Sequence, residues 1–406
     1  MKILHTNRSE KLIFILLCFF ALSACLSIAV NNLFLVLLLL FAVLEFRRLR
    51  TFAVSEEHKG YLKAILLFSF TMFLSALFSG DLVTGLGRFI DMFVYRILPL
   101  ALLFLLRPSD KSIKILLGML LLSFFLASVY VCYGGYAGNW SQRIAGPFGH
   151  PMTYAGFCCL FLPVLAVTLL EKRLKLPSYC DFLLPLFFFA GLAGLLLNQT
   201  RGAWLALLLV FAYILVQGFH INRKRAIYIT SLLLLVTIAA FQTPMLQSRL
   251  ESIADKRMRG NERLILWESS LKMFDDHKLF GVGLGQFGKV YNDRSLGYKH
   301  PDARQPLRHA HNNFLHMLAE NGLVGFIGFT AMFAYFLLES FRGWRRRQNP
   351  YSLMLLGMMA ALLLQGFTEY HFGNSALMKT FWFLFGVLLL LQSDWDKREA
   401  RQPQGA

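Results

Sequence analysis

The chain has 406 residues, of which 56% are hydrophobic and only 16% are charged, and its formal net charge is +18. Soluble domains carry roughly a quarter charged residues, so the composition excludes an ordinary soluble protein. Basic clusters such as Arg345-Arg346-Arg347 lie between long apolar stretches. Membrane proteins use such clusters to keep loops in the cytoplasm, so the charge does not indicate nucleic-acid binding.

Six cysteines lie within or at the ends of apolar stretches and form no CxxC pair. This spacing predicts residues that fill the protein interior, with no disulfide framework and no zinc site. A short basic flank, residues 1–11, precedes the first apolar stretch, and no small-residue cleavage site follows it. We therefore expect an uncleaved first span rather than a signal peptide.

Apolar stretches long enough to cross the hydrocarbon core, which takes about 20 residues, recur along the chain. The Asn31-Asn32 pair is interpreted as the turn between the first two. Twelve spans are predicted near 12–30, 32–46, 61–78, 86–106, 112–133, 152–170, 180–197, 203–219, 226–242, 322–341, 351–369 and 375–391.

Lysine and arginine are in excess in alternate short loops, and the opposite short loops hold only Arg143, Arg201 and Lys379. The positive-inside rule therefore places both termini in the cytoplasm. It also places the one long hydrophilic stretch, 243–321, on the outer face of the membrane. Long loops in a compact architecture are usually functional, so the chemistry is expected there.

The outer loop has helical periodicity of its own. Asn261 is a plausible N-cap for a helix that lies along the membrane surface, with an apolar side formed by Leu264, Trp267, Leu271 and Phe274. A second helix is predicted from about Asn312, with Phe314, Leu315 and Leu318 on its apolar side, before Gly322 leads into the tenth span.

The predicted fold is therefore all-α: a polytopic membrane protein of about 12 transmembrane helices with one large, mostly helical periplasmic loop as a lid. The predicted divisions are spans 1–9 in residues 1–242, the periplasmic loop in 243–321, spans 10–12 in 322–392, and a cytoplasmic tail in 393–406.

Three ionisable residues on the predicted outer side are the main candidates for function, since such groups are costly near a membrane. Arg201 lies in a very short hairpin between the seventh and eighth spans, Arg263 opens the loop helix, and His311 lies where the loop returns to the membrane. Four other ionisable residues belong to the short outer connections and could contact a substrate, but the sequence does not rank them: Arg143, Glu369, His371 and Lys379.

The sequence resembles the bacterial O-antigen ligase family, which shares its signature with O-antigen polymerases and protein O-oligosaccharyltransferases. Short motifs carry the resemblance, and their order on a many-span chain with one large outer loop makes it specific. They are Thr200-Arg201-Gly202-Ala203-Trp204, Glu262-Arg263-Leu264-Ile265-Leu266-Trp267, His277-Lys278-Leu279-Phe280-Gly281-Val282-Gly283-Leu284-Gly285 and His309-Ala310-His311-Asn312-Asn313-Phe314-Leu315.

The resemblance implies a metal-independent glycosyltransferase that uses no cofactor. Its donor would be a glycan linked to undecaprenyl pyrophosphate, and its acceptor a sugar hydroxyl of lipid A-core. The pyrophosphate would lie in a cavity beneath the lid, with its isoprenoid tail between helices in the bilayer. Two alternatives, an O-antigen polymerase and a protein O-oligosaccharyltransferase, would use the same donor. A multi-span transporter is a third alternative, but the predicted spans do not form the two matching halves that many transporters have.

The chemistry of such a reaction suggests a role for each catalytic candidate. Charge accumulates on the leaving pyrophosphate, and the planar guanidinium groups of Arg201 and Arg263 suit a phosphate clamp. The acceptor hydroxyl needs a base, and His311 suits that role because imidazole titrates near neutral pH. His309 is the main competitor. His309, Arg308, Asn312 and Arg88 are the predicted substrate-binding residues.

Structural alternatives remain for each candidate. Arg201 has the position of a lipid-headgroup anchor, and Arg263 that of a solvated helix residue beside Glu262. Arg88 and Asp91 share a helix face, with Arg96 deeper, so they form either an internal ion pair or a site that attracts the donor pyrophosphate.

Three further patterns carry less weight. Gly283-x-Gly285-x-x-Gly288 lacks the βαβ context of a dinucleotide site and instead predicts a tight turn. Asn198-Gln199-Thr200 matches the glycosylation sequon, and we interpret this match as accidental. No carboxylate at ligand spacing accompanies His309 and His311, so no metal site is predicted.

Overall fold

The computed structural model describes residues 8–44, 56–106, 108–138, 143–174, 176–227, 230–231, 260–299 and 306–400. Within these ranges the secondary structure is helical and contains no strand, as the sequence predicts. The principal helices are α1 Arg8–Ser23, α2 Ile28–Leu44, α3 Glu56–Leu77, α4 Leu82–Leu106, α5 Asp110–Ala137, α6 Pro151–Leu170, α7 Cys180–Asn198, α8 Arg201–Ile221, α9 Gly260–Asp276, α10 Phe287–Asn292, α11 Asn313–Arg347, α12 Pro350–Gln365 and α13 Ser375–Glu399.

Eight helices of the described chain are long and apolar enough to cross a membrane: α3 to α8, α11 and α13. The shorter apolar helices α1, α2 and α12 lie at three more of the predicted spans. The ninth predicted span, 226–242, falls almost entirely outside the described residues, as does the start of the predicted outer loop. The structure therefore supports a polytopic membrane protein and leaves the count of twelve as a prediction.

The boundary predicted at Asn31-Asn32 is wrong, because both residues lie within α2 and the turn spans residues 24–27. The polar Asn31 side chain is buried there because its Nδ2 donates to the Phe20 carbonyl at 3.0 Å and to Ser23 Oγ at 3.3 Å. Asparagine therefore joins α1 to α2 and does not mark the turn itself.

Two helices form the centre of the bundle. In the most apolar part of α6, 94% of the residues are buried, and in α13 the share is 89%, whereas the other long spans bury less than half. Those outer spans direct apolar side chains such as Leu66, Phe70 and Leu208 away from the protein. Such an apolar outer surface suits contact with lipid and not with water.

Helix α9 lies against α11 through a face that the sequence does not predict, and the predicted apolar side stays a prediction because it is expected to lie along the membrane surface. Leu264 and Leu271 are 60% and 49% exposed, while Leu266 and Met273 are buried, and Ser269 and Ser270 are buried with them. The serines tolerate burial because each hydroxyl donates to a carbonyl one turn back, at 2.9 and 2.7 Å. Because serines that hydrogen-bond within their own helix can be buried, hydropathy does not identify this buried face. The described chain resumes at Gly260, which is already helical, so the predicted cap Asn261 lies within the helix.

A glycine pair joins the loop to α11. Gly281 and Gly322 have φ values of +67° and +62°, and a Cβ on either would lie 2.4 Å from backbone atoms of the opposite segment. This close approach allows the Val282 N–H to bond the Ala319 carbonyl and the Leu323 N–H to bond the Lys278 carbonyl. The contact fixes the loop over the bundle and kinks α11 at Gly322.

Candidate functional site

The predicted site residues come from four parts of the fold: Arg201 begins α8, residues 308–312 precede α11, Arg263 lies in α9 and Arg88 in α4. The basic cluster Arg345-Arg346-Arg347 ends α11, so it lies at the other end of that long helix. At that far end Arg347 pairs with Asp396 of α13 at 3.0 Å. The site is therefore at the end of the bundle opposite to the basic cluster, as the predicted topology requires.

The hairpin before α8 is held by its own polar side chains. Asn198 Nδ2 donates to the carbonyls of Ile144 and Pro151 at 3.0 and 2.9 Å, and Arg143 donates to Thr200 Oγ1 at 2.7 Å. Gln199 adopts a left-handed conformation with φ of 57°. The sequence Asn198-Gln199-Thr200 thus forms a hydrogen-bonded turn that places Arg201 at the first position of α8.

His311 also has a left-handed backbone, with φ of 48°, in the turn before α11. Histidine is one of the few residues enriched in this region, which is common at functional sites. Asn312 caps the helix: its Oδ1 accepts from the N–H groups of Phe314 and Leu315, and its Nδ2 donates to the Phe367 carbonyl. The Asn312 amide is therefore occupied, and substrate binding by this residue stays a prediction with a structural alternative.

The buried residue Asn313 fixes the connection between α12 and α13. Its N–H donates to the Gly366 carbonyl at 2.6 Å, and its Oδ1 accepts the His371 N–H at 2.8 Å. These bonds draw Glu369 to the start of α11, where its Oε2 lies 3.4 Å from His311 Nδ1. Glu369 and His371 are the residues that the sequence could not rank, because only the fold brings them beside the histidine motif.

The electrostatics differ among these groups. Burial alone would raise the pKa of Glu369, but a hydrogen bond from His311 and the surrounding imidazoles outweigh it and lower the pKa to about 2. Burial, aided by the His311 ring at 4.2 Å, lowers the pKa of His309 to about 4. Glu369 is therefore an anion at neutral pH, and His309 is an uncharged and weak base.

Arg263 is half-buried within electrostatic reach of Glu369 and Arg201. Burial lowers the pKa of the Arg263 guanidinium, the Glu369 carboxylate raises it, and Arg201 lowers it again. Two arginines from separate helices thus lie within electrostatic reach of each other, and Arg263 also lies within reach of the carboxylate that contacts His311. A doubly charged anion such as pyrophosphate would reduce the repulsion between two such cations.

A cavity of about 1020 Å³ adjoins the same carboxylate. Among the described residues of its wall are Arg88, Arg308, His309, Glu369 and His371, whereas Arg201 and Arg263 lie outside that part of the wall. The structure therefore brings three of the predicted substrate-binding residues, Arg88, Arg308 and His309, to one cavity. Arg263 is related to this cavity through its electrostatic interaction with the wall residue Glu369.

Arg88 lies at the end of a helical turn that passes into a π-helical segment, Ile90–Tyr95. Asp91 Oδ2 accepts from Arg88 Nη1 at 2.9 Å and also pairs with the buried Arg96, five residues later. Arg96 in turn donates to the Phe372 carbonyl beside α13. The ion pair of the structural interpretation is thus present, and Arg88 also faces the cavity.

One nitrogen each from His309 and His311 and one oxygen of Glu369 lie within 4.8 Å of one another. The sequence interpretation that no carboxylate accompanies the two histidines is wrong, because Glu369 arrives from a distant segment. A His-His-Glu set matches the ligand types of zinc, so these residues could hold such an ion. The neighbouring arginines oppose a further cation, and the predicted absence of a metal stays a prediction.

No curated protein matches the chain significantly. A protein-family model described as O-antigen ligase matches residues 186–330, which include Arg201, Arg263, the glycine pair and His311. The resemblance predicted from the motifs is thereby confirmed: residues 186–330 of this helical membrane protein are similar to the O-antigen ligase family over those motifs.

Proposed function

We propose that the protein is a metal-independent glycosyltransferase that moves O-antigen polysaccharide from undecaprenyl pyrophosphate to a sugar hydroxyl of lipid A-core. The reaction would take place at the periplasmic side of the inner membrane and would complete lipopolysaccharide. The proposal rests on the grouping of Arg263 and His311 around Glu369, a wall residue of the cavity, with Arg201 within electrostatic reach of Arg263. The family match over the same segments supports it.

In this reaction the acceptor oxygen attacks the anomeric carbon of the donor glycan while the bond from that carbon to the pyrophosphate oxygen breaks. The hydroxyl proton passes to His311, and the bonding electrons leave with the pyrophosphate. Arg201 and Arg263 stabilise the charge that builds on the leaving group, which is often the largest contribution to catalysis. The arginines cannot lose their own protons, so the clamp stays cationic at any working pH.

His311 is favoured over His309 as the base because it has a partner that fixes its proton. If Nδ1 of His311 donates to Glu369, Nε2 keeps a free lone pair for the acceptor proton. The Glu369 carboxylate then stabilises the imidazolium that forms. His309 offers no equivalent, since its buried Nδ1 has no hydrogen-bond partner within the described residues and its pKa is about 4.

A polymerase or a protein O-oligosaccharyltransferase would use the same donor chemistry, so the acceptor decides among them. The test is electrophoresis of lipopolysaccharide from a deletion strain. Loss of capped core with lipid-linked polymer intact is the result expected of a ligase. Capping by a single repeat would instead identify a polymerase, and unchanged lipopolysaccharide would remove both.

A further inference from the structure

The cavity beside Glu369 carries cationic side chains of its own. Arg88, Lys289 and Arg308 line it, apart from the Arg201–Arg263 clamp. Arg308 is exposed and has no hydrogen bond or ion pair with any part of the chain that the structure describes. Lys289 makes only a loose contact with Asp81, at 3.8 Å, and is 74% exposed, so this pair is worth little.

The acidic residues of the cavity wall are already paired. Asp91 is shared by Arg88 and the buried Arg96, so the three groups together keep one positive charge. Buried Glu320 accepts from His316 Nε2 at 3.2 Å and from the Phe287 N–H at 3.2 Å. Glu369, the third carboxylate of the wall, contacts His311 Nδ1 at 3.4 Å. The charge left for a ligand on this side of the cavity is therefore positive.

Arg88 is also held in place by the glycine-rich turn of the loop. Gly285 has φ of +82°, and a Cβ on it would lie 3.2 Å from Arg88 Cβ. The turn thus packs directly on the arginine, while Asp91 fixes its guanidinium from the other side. This explains the glycine motif that matched a dinucleotide pattern: its backbone shapes the wall of the cavity around a fixed cation.

His371 supplies a hydrogen-bond donor without a partner. Asn313 Oδ1 accepts the His371 N–H, so the other end of that amide, Nδ2, must donate to His371 Nδ1, at 3.2 Å. Because Nδ1 accepts, the proton of the neutral ring lies on Nε2. That Nε2 is buried, lies on a residue of the cavity wall, and finds no acceptor among the described residues. Buried donors are rarely left unpaired, so an oxygen-bearing ligand is the expected partner.

We infer that this cavity is the acceptor site and that it selects an acceptor sugar bearing an anionic group. Arg308, Lys289 and Arg88 bind the anionic group, and His371 Nε2 donates to a sugar oxygen. The inference rests on the proposed transfer reaction and adds the class of acceptor. It differs from the sequence-based hypothesis that Arg88 attracts the donor, because Arg88 lies in the wall of this cavity whereas Arg201 and Arg263 do not.

The test is steady-state transfer by the full-length protein in detergent, with an isoprenyl-pyrophosphate-linked glycan as donor. Three acceptors are compared: intact lipid A-core, lipid A-core treated with phosphatase, and lipid A-core with its carboxylates converted to amides. One treatment should raise the acceptor KM of the wild-type protein by about ten- to a hundredfold, as expected for loss of charge-assisted hydrogen bonds. The effective treatment identifies the anion as phosphate or carboxylate.

The double variant Arg308→Gln/Lys289→Gln should raise the KM for intact acceptor by a similar factor, with little further effect on the treated acceptor and with the donor KM unchanged. Arg294→Gln, an exposed loop arginine that is not among the wall residues, is the matched control and should behave as wild type. A rise in the donor KM, or a wild-type KM that neither treatment changes, would overturn the inference. Absence of transfer by the wild-type protein to any acceptor would overturn the proposed function with it.

Discussion

Nδ1 of His311 lies 3.4 Å from Oε2 of Glu369, although the two residues are 58 positions apart in the chain. The distance is long for a hydrogen bond, as is common in a site without substrate. The contact gives His311 both an orientation and a counter-charge. In the proposed reaction Glu369 would be a positioning residue, since it would act through the His311 imidazole.

The first prediction concerns this pair. His311→Ala should lower kcat by about 10² to 10⁴, the usual cost of removing a positioned base. Glu369→Gln keeps the shape but not the charge, so kcat should fall by at least about tenfold while the donor KM stays unchanged. The pH profile of kcat should shift in Glu369→Gln, which a purely structural role would not cause. Full activity of His311→Ala with a dead His309→Ala would reverse the assignment of the base.

The second prediction concerns the clamp. Arg201→Lys and Arg263→Lys keep the charge but lose the planar fork that binds two phosphate oxygens at once. We expect both variants to lose most transfer activity while remaining in the membrane at wild-type levels, as measured by immunoblot and by transfer assay. Near-full activity in both would show that the two arginines only anchor the protein to lipid headgroups.

Most of the helices could be predicted from the sequence because each needs only a local apolar run, and eleven predicted spans coincide with helices of the described chain. The failures have a different cause. The Asn31 side chain satisfies itself against α1, and Ser269 and Ser270 satisfy themselves within α9, so polar residues lie where hydropathy expects none. A hydropathy scale scores each polar residue by its type and contains no information about its hydrogen-bond partners.

The site residues also fall into those that the sequence could predict and those that it could not. Arg201, Arg263 and His311 lie in motifs, so the sequence could name them. Glu369 and His371 lie in a connection without a motif and reach the site only because Asn313 binds that connection. The sequence signal for this contact is a single asparagine beside the histidine motif, which is too little to identify its partner.

The third prediction concerns the glycine pair that closes the loop over the bundle. Gly322 has φ of 62° and ψ of −163°, a region open essentially to glycine alone, and a Cβ there would lie 2.4 Å from the Leu279 carbonyl carbon. Gly322→Ala should therefore destabilise the protein by more than the roughly 1 to 3 kcal/mol of backbone strain alone. Thermal unfolding in detergent measures this. Gly118→Ala in α5 meets no atom within 4 Å and should be neutral or slightly stabilising.

The fourth prediction concerns acid. Burial lowers the pKa of His371 to about 4 from its ordinary 6.5, so the unfolded chain binds more protons than the folded one between these values. The stability that His371 contributes is therefore fully present above about pH 6.5 and is lost as the pH drops towards 4. Glu369, with its pKa lowered to about 2 from 4.5, loses stability in the same direction below about pH 4.5.

Between pH 6.5 and pH 4.5 the titration of His371 should lower the free energy of unfolding by at most about 2 to 3 kcal/mol. Hydrogen exchange of residues 366–371 should accelerate as the pH falls, after correction for the intrinsic pH dependence of exchange. His371→Gln, which cannot titrate, should weaken this trend. Protection that is the same at pH 7 and pH 4.5 in the wild-type protein would contradict the burial argument.

The last prediction concerns metal ions. His309, His311 and Glu369 offer three ligand atoms within 4.8 Å, a set suited to zinc but not to magnesium, which prefers oxygen ligands in octahedral geometry. If Arg201 and Arg263 alone meet the pyrophosphate charge, transfer should continue in excess EDTA, and magnesium should not stimulate it. Added zinc should inhibit, because it would occupy the lone pair of the base and the carboxylate that orients it, and EDTA should reverse the inhibition. Loss of activity in EDTA with recovery on adding magnesium would show that the metal-free mechanism is wrong.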